Sequence, residues 1–121
     1  MWQIEPSTQW EKDHKWYAKK RPDELAAVLA NLSRYMKYLK ASKNSKCLEA
    51  GFLHHEPAGV VALDQKGFSG NLQETRLYLF AVDATKTVHL ITIGSKDEQH
   101  SDVEFCKCFV EQLQSGEGQT P

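Results

Sequence analysis

The sequence predicts an α+β domain: an N-terminal strand and a helical hairpin packed on a mainly antiparallel sheet, with a C-terminal helix. Three observations lead there. Leu25, Val28, Leu29, Leu32, Met36 and Leu39 recur at three- and four-residue spacing, the apolar stripe of an amphipathic helix. Arg76–Val82 and Thr87–Ile93 are β-rich apolar runs joined by the polar Asp83-Ala84-Thr85-Lys86, the pattern of a β-hairpin. At 121 residues, 40% hydrophobic and 26% charged, the chain has material for one core and not for two.

The remaining elements follow in order. Trp2-Gln3-Ile4-Glu5 alternates apolar and polar before Pro6, which reads as a short strand at a sheet edge. Thr8-Gln9-Trp10-Glu11 has the form of a capping box, so a helix is expected with Thr8 as its N-cap. Trp10 and Tyr17, with His14 between them, share one face of it, and Pro22 ends it or turns it into the next helix, over residues 23–41. Ala41–Lys46 reads as a loop, and Val60–Leu63 as a buried strand. Gly67–Asn71 reads as a loop or bulged turn. Ser101-Asp102-Val103-Glu104 is a second capping box, opening a helix with Val103, Cys106, Phe109, Val110 and Leu113 on one face. The expected order is β-α-α-β-β-β-α, one domain over 1–114 followed by a flexible tail over 115–121.

Charge is unevenly placed. The net charge is −1, yet residues 1–50 carry ten Lys/Arg against six Asp/Glu, and residues 51–121 carry five against ten. Arg34, Lys37, Lys40, Lys43 and Lys46 place a cation at every third residue, with no acidic residue between Leu25 and Leu48. Phosphate contacts need such surface charge and little geometry, so this ribbon is a candidate RNA-binding face; a solvated helix face is the plain alternative. The longest apolar run, Leu77–Val82, falls far short of the roughly 20 residues of a membrane span, and no secretory leader is visible. Three cysteines, an odd number, argue for a reducing cytoplasm. Cys106 and Cys108 diverge by roughly 200° on a helix, and no CxxC or HxxxH spacing occurs, so neither metal nor cofactor is expected.

Two further segments hold groups suited to chemistry. In extended His54-His55-Glu56, neighbouring side chains point to opposite sides, so only one histidine can serve a given site. Gly94-Ser95-Lys96-Asp97-Glu98-Gln99-His100 joins the last strand to the last helix, a common place for function. The hairpin would bring Arg76, at the start of its first strand, to the same open end as Lys96. Arg76 could then clamp a phosphate and Lys96 neutralise developing negative charge.

Taken together, the element order and several short motifs resemble the RelE/ParE/HigB superfamily of small bacterial toxins over about residues 2–114. The motifs are Trp2-Gln3-Ile4-Glu5, Trp10-Glu11-Lys12-Asp13, Pro22-Asp23-Glu24-Leu25, Thr75-Arg76-Leu77-Tyr78-Leu79-Phe80 and His89–Gln99. The resemblance implies a metal-independent mRNA endoribonuclease acting on translated RNA in the ribosome and held in check by a cognate antitoxin protein. By position, Arg76 would clamp the scissile phosphate, Lys96 would stabilise its charge, Gln99 would orient the RNA and His100 would carry the proton. His54 or His55 could take the proton role from the other side. The ParE branch leaves a second outcome open: a non-catalytic member that binds gyrase, or only its antitoxin.

Overall fold

Strand alternation and helical stripes assemble into a five-stranded sheet with helices on both faces. The computed structural model describes residues 1–65 and 72–116. In chain order they form β1 (Gln3–Pro6), α1 (Thr8–Lys20), α2 (Pro22–Ala41), β2 (Leu53–His55), β3 (Val61–Gln65), β4 (Thr75–Val82), β5 (Thr87–Ser95) and α3 (Gln99–Gln114). Short 3-10 turns lie at Ser45–Cys47, Pro57–Gly59 and Lys96–Glu98. The turn expected at Gly67–Asn71 and the tail beyond residue 116 lie outside the described residues.

The strand order is β1-β5-β4-β3-β2, antiparallel except for β1, which runs parallel to β5 at one edge. The sheet therefore has one strand more than expected. Leu53–His55 pairs with Val61–Leu63 around a tight turn in which Ala58 and Gly59 take φ of 65° and 80°. Three residues are too few to show an alternating pattern, which is why β2 does not announce itself.

One sheet face, with Leu63, Leu77, Leu79, Val88 and Leu90, packs under α1 and α2 against Trp10, Leu25, Val28, Leu32 and Leu39. The other, with Ala62, Tyr78, Phe80 and Ile91, packs under α3 against Cys106 and Val110. Tyr35 is fully buried on α2, while Leu29 and Met36 of the expected stripe are only half-buried. Both helix starts differ from expectation by local hydrogen bonding. Ser7, not Thr8, caps α1, its Oγ accepting from the Trp10 N–H at 3.0 Å. The capping box before α3 is Ser95 with Glu98, and the Ser101 hydroxyl instead donates to the Glu98 carbonyl.

One feature fixes α1 against the sheet. β1 pairs with β5 only from Thr87 to Leu90, which leaves the edge of β5 beyond Leu90 without a strand. Side chains and turn backbone take over. The Ser7 N–H donates to the Leu90 carbonyl (2.9 Å), and the Ser7 hydroxyl donates to the Ile91 carbonyl (2.7 Å). The Asp13 carboxylate accepts from the Ile93 N–H (3.1 Å) and the Thr92 hydroxyl. Losing Asp13 orphans a partly buried backbone donor. Asp13→Ala should therefore lower unfolding stability by about 2 kcal/mol in urea titration, and Asp13→Asn by less.

Candidate functional site

The open end of the β4–β5 hairpin gathers the charged side chains. Arg76 lies opposite Gly94 on β5 and opposite Asp64 on β3. By strand alternation Arg76, Asp64 and His54 share the α3 face with Tyr78 and Ala62. Glu56 enters from the β2–β3 turn, and Glu74 from the residue before β4. The Arg76 guanidinium meets three carboxylates: Glu56 at 3.4 Å, Glu74 at 3.6 Å and Asp64 at 3.8 Å. Glu74 also reaches Lys96 at 3.9 Å, and Asp64 reaches His54 Nε2 at 3.5 Å.

These contacts are longer than the 2.7–2.9 Å of a tight charge-assisted hydrogen bond. Arg76 is thus surrounded without being firmly bound, and its Nε has no partner among the described residues. Burial pushes the Asp64 carboxyl above its usual range, and Glu74 adds to the push against the opposing Arg76 and His54.

Of the residues singled out from sequence, Arg76, Lys96 and His54 come together through shared carboxylates. Gln99 and His100 stand in the first turn of α3 and make no side-chain hydrogen bond or ion pair with that group among the described residues. His55 points away, toward the Leu48 carbonyl (2.9 Å) and Glu49 (3.4 Å). Glu56, Asp64 and Glu74 carry no role in the sequence reading. Only the Asp64↔Arg76 register reveals them, and that register is a tertiary property.

The cationic ribbon is partly broken up. Arg34, Lys37 and Lys40 lie exposed on α2, whereas Lys43 and Lys46 follow the helix end. Lys46 folds back over the Phe80 ring at 5.5 Å. Arg34 sits 4.6 Å above Phe52, which stacks with the exposed Tyr38. No carboxylate pairs with Arg34, Lys37 or Lys40 among the described residues. Of the cysteines, Cys106 is buried on the sheet-facing side of α3, and Cys47 and Cys108 are exposed.

A second group of ionisable side chains lies near the end of β5. Asp102 of α3 packs against the Cα of Gly94, where an added Cβ would overlap its carboxylate. Its Oδ2 has no hydrogen-bond partner among the described residues. Burial, then Glu98 and Asp13, push this carboxyl up to about 7. Tyr17 is pushed up to about 12 by burial, then by Glu98, Asp102 and Asp13. No helix among the described residues is long and apolar enough to cross a membrane. Neither the family models nor the curated proteins compared with this chain match it.

The Asp102 shift has a definite sign. Between about pH 4, where a free aspartate titrates, and pH 7, the folded chain holds a proton that the unfolded chain has released. Stability from this group is present below that window and is lost as pH rises through it. Asp102→Asn should therefore match the parent near pH 4 and exceed it increasingly toward pH 8, as read from urea midpoints across pH.

Proposed function

We propose that this chain is the toxin-like component of a type II toxin–antitoxin system, a metal-independent endoribonuclease acting on translated mRNA in the cytoplasm. The observation that carries the reading is the placement of Arg76 and His54 on one sheet face, with Glu56 against Arg76 and Lys96 joined to it through Glu74. Cleavage by this set proceeds through the RNA itself. The 2′-hydroxyl attacks the adjacent phosphorus, its proton passing to Glu56. A 2′-O–P bond forms as the P–O5′ bond breaks, and His54 donates a proton to the departing 5′-oxygen. Arg76, with Lys96 beside it, stabilises the charge that builds on the phosphoryl oxygens. The loose carboxylate contacts of Arg76 give way to phosphate oxygens at shorter distance. His54 replaces His100 as proton donor in this scheme, because it shares Asp64 with Arg76.

The test is mRNA 5′-end mapping after brief induction in a bacterial cell. New ends within translated codons are expected from the parent chain. They should fall by at least about a hundredfold with Arg76→Ala, the loss typical of removing a charge-stabilising donor. Unchanged ends in that variant would sink the assignment.

One observation favours a second reading. Three carboxylates within 4 Å of Arg76 repel a phosphate, whereas Arg34, Lys37 and Lys40, beside the Tyr38–Phe52 stack, meet no carboxylate among the described residues. On that reading the chain is a non-catalytic member of the same architecture, and α2 binds a partner such as gyrase or an antitoxin. Lys37→Glu/Lys40→Glu should then weaken partner binding by roughly tenfold or more in low salt, with the difference shrinking at high salt. Equal affinity for the partner would remove α2 from the interface.

A further inference from the structure

A cleft of about 410 Å³ opens between α1 and the end of β5, on the side away from the Arg76 group. Four carboxylates line it, from Asp13, Glu24, Asp97 and Glu98, against the single guanidinium of Arg21. Three of the four are held by backbone N–H donors: Asp13 by Ile93 (3.1 Å), Glu24 by Gln73 (3.1 Å) and Glu98 by Ser95 (3.0 Å). Their positions are thus set before any ligand arrives, which lowers the ordering cost of binding.

The cleft also carries a phenol whose ring is packed away while its hydroxyl is left without a protein partner among the described residues. Tyr17 is only 7% exposed, lines the cleft and makes no side-chain hydrogen bond among the described residues. Its hydroxyl lies in the field of Glu98, Asp102 and Asp13. Trp16, half exposed and edge-on to Tyr17 at 5.0 Å, adds an aromatic surface to the same wall. Carboxylates, a free phenol and an exposed indole together suit an organic cation, by charge, hydrogen bonding and cation–π attraction. No three His, Cys, Asp or Glu side chains among the described residues converge as metal ligands would.

We propose that this cleft binds an alkyl guanidinium or ammonium group, borne either by a free amine or by an arginine or lysine side chain of a polypeptide. The cleft shares no residue with the Arg76 group, so this proposal and the ribonuclease reading stand or fall separately.

The test is an NMR titration of the full chain with agmatine, with spermidine, with acetyl-Gly-Arg-Gly-amide and with neutral butylurea. A saturable shift of the Trp16 indole N–H is expected with the cations and none with butylurea. Glu98→Gln keeps the acceptor for Ser95 and should weaken binding roughly tenfold, the worth of one charged hydrogen bond. The exposed Asp97→Asn should act in the same direction without touching the fold, and Tyr17→Phe should cost several-fold. Tighter binding of the arginine peptide than of either amine assigns the cation to a polypeptide; the reverse assigns it to a free amine. No saturable shift with any cation, an equal shift with butylurea, or parent affinity in both Glu98→Gln and Asp97→Asn would overturn the proposal.

Discussion

The placement of α1, and with it of Asp13 among the carboxylates at the end of β5, depends on how the exposed edge of that strand is closed. β1 stops at Pro6, four residues into its pairing, and from Ile91 onward the edge of β5 needs other partners. Ser7 and Asp13 supply them, and that brings α1 alongside the strand. A backbone edge left open would cost hydration-free donors or invite pairing with another chain. Closing it with a carboxylate has a second effect. It puts a negative charge beside the strand end, where Glu98 and Asp102 already stand, and this charge adds, after burial and Glu98, to the upward shift of Asp102.

The open end of the β4–β5 hairpin therefore carries two distinct charged sites, separated by the sheet. On the α3 side, Arg76 is held among three carboxylates with His54 and Lys96 joined to them. On the α1 side the cleft carries an excess of carboxylates next to aromatic rings. Partly buried charges with imperfect partners add little to stability. Their concentration at one end, while the rest of the sheet is packed with Leu, Val, Ile and aromatic side chains, is the pattern expected where charge is retained for binding or chemistry. Gly94 makes the crowding possible, since Asp102 approaches its Cα where any larger residue would stand in the way.

Much of the fold could be read from the residues. The Leu25–Leu39 stripe, the Asp83–Lys86 turn and the Trp2–Glu5 edge strand occupy the places their periodicity implies. β2 escaped because three residues carry no period, and Tyr35 because a tyrosine one step off an apolar stripe looks like surface. The capping boxes misled by a few residues: Ser/Thr-x-x-Glu recurs by chance in polar segments, and a neighbouring serine, Ser7 for α1 and Ser95 before α3, makes the capping bond instead. For the candidate site, alternation was enough to send His54 and His55 to opposite sides, and the hairpin to bring Arg76 and Lys96 to one end. Glu56, Asp64 and Glu74 stayed hidden because only strand register, set by the whole sheet, carries them to Arg76. The cleft was hidden for the same reason, as it is built from α1, the start of α2 and the ends of β4 and β5.

Whether Arg76 and its neighbours are reactive or merely structural is decided most directly by the chemistry of the RNA ends. Ribosome-bound mRNA exposed to the chain would be recovered and its new termini identified by mass spectrometry. Attack by the RNA's own 2′-hydroxyl leaves a 2′,3′-cyclic phosphate on one fragment and a free 5′-hydroxyl on the other, and a single 2′-deoxy nucleotide at the cleavage site abolishes the cut. Fragments ending in 5′-phosphate, cleavage that survives the deoxy substitution, or no cleavage at all would contradict a ribonuclease built on Glu56, Arg76 and His54.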